Sequence, residues 1–222
     1  MLRTADGWIS QYQQKGALWI HDGNPRRPHA LLTSGKHSNG FFNSELVMED
    51  SLLLDEACFD LVKLLEREGV TLNDVDRVVG PAMGAITLAH DVSRHIGRVR
   101  DRFCLRAYTE KEPAGNSFVM AFKKTKIRSG ERVLAVEDVL TTGGSVNATA
   151  DAVELDGGII LPFVAVLVNR SGLTEASGKK IVALIDRPMP MWEPDECSLC
   201  KEGSEAIRPK GTENWGRLNA TY

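Results

Sequence analysis

Four runs of this chain are dense in Val, Ile and Leu: VDRVVG (75–80), RVLAVED (132–138), IILPFVAVLVNR (159–170) and KIVALID (180–186). Each reads as a buried strand rather than a half-exposed one, because the apolar residues run together instead of alternating. Helical segments separate them. SLLLDEACFDLVKLLERE (51–68) repeats its apolar residues at spacings of three and four and is followed by Gly69, a helix-ending residue. A second helix spans roughly 84–96, closed by Gly97, and a third follows TTGGS. Strands alternating with helices of ten or more residues predict βαβ units, hence an α/β fold with a mostly parallel twisted sheet flanked by helices.

At 222 residues the chain has room for one domain with an appendage. The core is expected over 51–186. Segments 1–50 and 187–222 are expected to form a small hood, the latter because RPMPMWEPDECSLCKEGSEAIRPKG is proline-rich and aperiodic. Trp8, Trp19, Trp192 and Trp215, all in these flanks, are expected to anchor it. RFCLRAYT (102–109) and SFVMAF (117–122) read as strands, with EKEPAGN (110–116) between them as a loop. The net charge of −3 opposes non-specific nucleic-acid binding, which usually shows a basic balance. No apolar signal region and no run of about 18 apolar residues is present, so a cytoplasmic protein with reduced thiols and no membrane partner is expected.

The stretch VLAVEDVLTTGGS (133–145) carries the chemistry. An apolar strand ends in adjacent carboxylates, Glu137 and Asp138. Thr141, Thr142, Gly143, Gly144 and Ser145 then lead into an amphipathic helix. Glycines permit a tight turn with several N–H groups aimed inward, and the helix adds its positive dipole end. No lysine follows the glycines, which rules out a Walker-type loop. Carboxylates do not bind phosphate, but they accept hydrogen bonds from vicinal hydroxyls. Phosphate donors beside diol acceptors fit a ribose 5-phosphate. A bare glycine turn opening a core helix would explain TTGGS alone, but not the acids ahead of it.

This signature resembles that of the type I phosphoribosyltransferases, which bind phosphoribosyl pyrophosphate (PRPP). Three further segments resemble the orotate branch of that family: LTSGKHSNGFFNSEL (32–46), VGPAMGAITLA (79–89) and VNRSG (168–172). The resemblance implies the fold described above and transfer of ribose 5-phosphate from PRPP to orotate, releasing pyrophosphate, in pyrimidine nucleotide biosynthesis. It implies that Glu137 and Asp138 hold the ribose hydroxyls, and that Leu140 through Ser145 hold the 5-phosphate. Val139, Ala82 and Met83 complete the PRPP site. Phe41, Phe42, Thr141 and Arg170 contact the base. Lys111 and Asp138 are the catalytic candidates, with Lys111 on a mobile lid over 110–130. Mg²⁺ is implied as cofactor, bound through substrate oxygens rather than by protein ligands, and a homodimer as the assembly. A purine or another pyrimidine as the base, and a PRPP-sensing regulator without catalysis, stay open as alternatives.

The chain departs from the family pattern where positive charge is expected. Thr33 and Gly84 stand where the pattern has lysines. The lid motif appears as Glu110, Lys111, Glu112, Ala114 and Asn116. Lys36, Lys123, Lys124, Lys126 and Arg128 are the nearby candidates for compensation. Cys197-x-x-Cys200 supplies two of the four ligands a structural zinc requires, or a redox pair. The favoured reading is structural thiols, because Cys58 and Cys104 lack ligand spacing and every histidine lies before residue 96. His29 and His37 are expected on the surface or in turns.

Overall fold

Trp8, Ile9 and Tyr12 line one face of α1 (Ala5–Gln14), whose first turn is capped by Thr4 Oγ1 accepting the Gly7 N–H at 3.1 Å. The structure, a computed structural model, describes residues 2–115 and 117–222. After α1 come β1 (Leu18–Ile20), β2 (His29–Leu31), β3 (His37–Ser38), β4 (Gly40–Phe42) and the single turn α2 (Glu45–Met48). Asp50 caps α3 (Ser51–Arg67) by accepting the Leu52 and Leu53 N–H groups, both at 3.2 Å. β5 (Arg77–Pro81), α4 (Ile86–Val99), β6 (Leu105–Ala114), β7 (Ser117–Ala121) and β8 (Arg132–Leu140) follow. The core closes with α5 (Gly144–Leu155), β9 (Ile159–Asn169), β10 (Glu175–Ala176) and β11 (Lys179–Asp186). The tail adds β12 (Met191–Trp192), the short α6 (Ser198–Lys201), β13 (Ala206–Ile207) and α7 (Thr212–Asn219).

Seven strands form the main sheet in the order β10-β11-β9-β8-β5-β6-β7. The inner five run parallel, and the edges β7 and β10 are antiparallel. Alternation along β8 divides its side chains between two cores. Leu134 and Val136 join the cluster shared with α1, α3 and α4. Val133 and Ala135 face the other side, in clusters that include the α5 residues Val153 and Val146 respectively. The parallel α/β sheet expected from the sequence is therefore present, covered on both faces.

Several boundaries differ from the sequence reading. α4 runs through Gly97 to Val99 and gives way where Asp101 takes a positive φ of 48°. Residues 110–114 are strand, not loop: β6 continues past its last β5 partner, Thr109, and pairs with β7 as an antiparallel hairpin. Pro113 is tolerated there because this part of β6 has a neighbour on one side only. Asn116 lies outside the described residues. The first helix packs with the core rather than the hood, since Trp8 Nε1 donates to Asp60 at 3.0 Å and both Trp8 and Tyr12 are buried in the main cluster. The hood is a four-stranded sheet, β12-β3-β2-β13, woven from residues 29–38 and 191–207. Trp19, Ala30, Leu32, Ile207 and Leu218 form its small apolar cluster, with Trp215 packed against it.

Candidate active site

The carboxyl ends of β5, β8 and β9 open into one cleft of about 760 Å³. Parallel sheets bind ligands at this end, where loops and helix N-termini converge. β5 delivers Ala82, Met83 and Gly84, and β8 delivers Glu137 through Leu140. The turn Thr141–Ser145 forms the floor, and Arg170 enters from the end of β9. Phe41 and Phe42 of β4 and Lys111 of the hairpin complete the wall. Every site residue expected from the sequence thus lines this one cleft.

The turn is built for an anion. Gly143 takes φ +78° and serves as the N-cap of α5, a backbone conformation that side-chain-bearing residues adopt only with strain. The N–H groups of Thr141 through Ser145 find no backbone acceptor among the described residues. They are the orphan donors of a helix start, aimed where the dipole favours negative charge.

Two carboxylates face this turn. Glu137 is buried, and burial together with the neighbouring Asp138 charge raises its pKa well above the usual carboxylate range. Its Oε1 accepts the Asp138 N–H at 3.2 Å. Asp138 packs so closely on Gly84 that a Cβ there would lie 3.1 Å from all three carboxyl atoms. The glycine at this family lysine position therefore accommodates the acid.

Arg170 is 1% exposed and has no carboxylate partner among the described residues. Its Nη2 donates to Ser38 Oγ at 2.6 Å, and Ser38 in turn donates to the Pro190 carbonyl at 2.6 Å. Its Nε has no hydrogen-bond partner among the described residues. Burial pulls this guanidinium down to about 10. A buried cation with an unused donor beside a cleft is suited to an electron-rich ligand.

Comparison with known proteins agrees with this geometry. The family profile described as phosphoribosyl transferase domain matches residues 56–191. The chain belongs to the phosphoribosyl transferase family. It is 38% identical to the orotate phosphoribosyltransferase of Desulforamulus reducens over 82% of this chain and 87% of that protein. It is 39% identical to the one from Heliobacterium modesticaldum over 82% of this chain and 88% of that protein. The crystal structure of orotate phosphoribosyltransferase from Aeropyrum pernix shares the fold, with a TM-score of 0.60 at 23% identity, over 80% of this chain and 92% of that one. Adenine phosphoribosyltransferase from Rhodothermus marinus shares it too, with a TM-score of 0.55 at 19% identity, over 82% and 99% of the two chains.

Within this phosphoribosyl transferase, the aromatic pair separates. Adjacent strand residues point to opposite faces. Phe42 is 1% exposed and meets Tyr12 edge-on at 5.3 Å, while Phe41 turns toward Trp215 at 5.9 Å. Both border the cleft, but the two rings cannot stack on one base together; Phe42 belongs to the core beneath it.

The expected compensating cations lie elsewhere. Lys36 pairs with Glu193 at 2.7 Å, Lys123 with Glu112 at 3.6 Å, and Arg128 with Glu131 at 3.8 Å. Neither Lys124 nor Lys126 lines the cleft. Besides Lys111, the lysine that lines it among the described residues is Lys210, in the tail, whose charge acts on Glu137 against the effect of burial. Sequence reasoning missed it, along with Thr212 and Trp215, because the tail shows no periodicity. The one available signal was the vacant lysine position at Thr33.

Proposed function

We propose that this phosphoribosyl transferase moves ribose 5-phosphate from PRPP to orotate, forming orotidine 5′-monophosphate and pyrophosphate for pyrimidine nucleotide synthesis. The bond from ribose C1 to pyrophosphate breaks, a bond from C1 to a base nitrogen forms, and the proton that nitrogen carried leaves to the departing pyrophosphate or to water. The observation that carries this reading is the meeting, in one cleft, of the phosphate turn, the paired acids and a buried guanidinium without an acidic partner. The turn Leu140–Ser145 holds the 5-phosphate, and Ala82, Met83 and Val139 shape the rest of the PRPP site. Glu137 and Asp138 bind the ribose hydroxyls. A protonated Glu137 can donate one hydrogen bond and accept another, while Asp138 accepts.

Arg170 donates to the base, which lies against Phe41 and Thr141. Cleavage leaves positive charge at C1 and negative charge on pyrophosphate, so catalysis is positioning and charge stabilisation. Lys111 supplies positive charge from the hairpin. Its ammonium rests 4.5 Å above the Phe118 ring, and strand alternation turns Glu110 and Glu112 the other way, toward Lys123. Closure of this exposed hairpin over the site would exclude water, which otherwise hydrolyses PRPP. The adjacent carboxylates at an open cleft fit a Mg²⁺ held chiefly by substrate oxygens. When bound, the ion neutralises the leaving pyrophosphate.

Among the described residues no helix is long and apolar enough to cross a membrane, and the reading places the reaction in the cytoplasm. A homodimer is proposed on the resemblance alone, and sedimentation would test it. The function is tested by following pyrophosphate with PRPP, Mg²⁺ and each of orotate, uracil, xanthine, hypoxanthine and adenine. Turnover with orotate alone is expected. Turnover with another base would reassign the substrate, and PRPP binding with no product would assign a regulator.

A further inference from the structure

The Cys-x-x-Cys pair of the tail meets two histidines from the other end of the chain. His29 lies on β2, His37 on β3, and Cys197 and Cys200 at the start of α6. One donor atom from each falls within 4.8 Å of all the others. His29 Nε2 is 3.5 Å from Cys197 Sγ, 3.5 Å from Cys200 Sγ and 3.0 Å from His37 Nδ1, and Cys200 Sγ is 3.3 Å from His37 Nδ1. Contrary to the sequence expectation of surface histidines, both rings are buried, as is Cys197.

We propose that these four side chains bind a single zinc ion that fastens the hood together. The spacing matches. Zinc–sulfur bonds of about 2.3 Å and zinc–nitrogen bonds of about 2.0–2.1 Å at tetrahedral angles put sulfur and nitrogen about 3.5 Å apart and two nitrogens about 3.3 Å apart. A set this tight has room for one ion and not for an iron–sulfur cluster, and two thiolates with two imidazoles select zinc. Four protein ligands leave no open position, so the site is structural, not catalytic.

The surroundings prepare the ligands. Ser204 Oγ donates to the Arg27 carbonyl at 2.6 Å, which leaves its oxygen to accept from His29 Nδ1 at 2.8 Å. That bond places the proton on Nδ1 and turns the Nε2 lone pair toward the thiols, the orientation a metal-bound histidine requires.

The hood also has little else to close it. Three of its four strands are two residues long, and its apolar cluster is small. Sheets this short are marginal without a staple. The ligands lie up to 171 residues apart, so one ion joins the two segments that build the hood. His37 adjoins Ser38, the partner of Arg170, and the segment after Cys200 leads to Lys210 and Trp215 in the cleft. The ion would thereby set the hood wall of the active site without touching substrate.

The test is metal content of tag-free protein purified under reducing conditions, by elemental and native mass spectrometry. One zinc per chain is expected. Replacement by Co²⁺ is expected to give the absorption of a tetrahedral ion with thiolate charge-transfer bands. Cys200→Ser should lose the metal. Ser204→Ala, which keeps all four ligands, should bind it about 10–100-fold more weakly. If Cys200→Ser does not fold, the wild type and Ser204→Ala decide. The proposal is overturned if the reduced wild type neither carries nor takes up an equivalent of Zn²⁺ or Co²⁺. It is also overturned if Cys197 and Cys200 are found joined as a disulfide, or if Cys200→Ser or Ser204→Ala binds metal as tightly as the wild type. None of these readouts depends on which base the enzyme uses.

Discussion

Glu137 shows how one residue's surroundings set its chemistry. Two neighbouring carboxylates cannot both ionise cheaply when one is buried. In the folded chain Glu137 keeps its proton above the pH at which it would lose it unfolded. The folded state then binds more protons, so stability falls as pH rises above the ordinary carboxylate range, by up to about 1.4 kcal/mol per pH unit. Glu137→Gln cannot ionise, and melting temperatures across about pH 5 to 8 should decline less steeply than in the wild type. A parallel decline would show that Glu137 ionises normally. Removing both acids, as Glu137→Ala with Asp138→Ala, is expected to weaken PRPP binding tenfold or more, about 1.4 kcal/mol, with folding retained. Calorimetry giving wild-type PRPP affinity would exclude these acids as sugar ligands.

At the scale of elements, the two ends of the β-strands do different work. Away from the cleft, Arg77 on β5 grips Glu131 just before β8 with Nε and Nη2 at 2.8 and 3.0 Å, both side chains nearly buried. Arg77→Ala leaves that nearly buried carboxylate with only Arg128, through its backbone N–H at 3.2 Å and its guanidinium at 3.8 Å, and denaturant unfolding should register a loss of about 1.5–3 kcal/mol. KM values measured below the melting transition should stay near wild type, since the pair lies far along the sheet from the site. At the cleft end, Gly143 is the junction between β8 and α5. Gly143→Ala would force a side chain into φ +78°, at a cost of about 1–2 kcal/mol. It would also tilt the N–H groups of the turn. A rise in KM for PRPP beyond that for orotate is the expected signature, and an equal rise in both would count against a phosphate role for the turn.

At the scale of the whole molecule, the site is assembled from both ends of the chain around a central sheet. The hood contributes Lys210, which stands in the cleft, whereas Lys36 and Lys123 are paired elsewhere. Lys210→Ala is expected to lower kcat/KM by tenfold or more, the loss of one charged hydrogen bond of about 1.5–3 kcal/mol. An unchanged kcat/KM in steady-state kinetics would show that Lys210 is a bystander at the rim.

The strands, the helices and the phosphate turn were legible in the sequence because each depends on neighbours a few residues away. Apolar runs, three-and-four spacing, and glycines beside acids are local patterns. For the same reason the β6–β7 hairpin was misread, since a proline and a glycine look alike in a loop and at an open sheet edge. What joins distant segments was not legible. The placing of Lys210 in the cleft and the meeting of His29 and His37 with Cys197 and Cys200 carry no local signal. Tertiary structure alone decides them, because burial and distance across more than 150 residues depend on how the whole sheet folds, not on the order of residues within any one stretch.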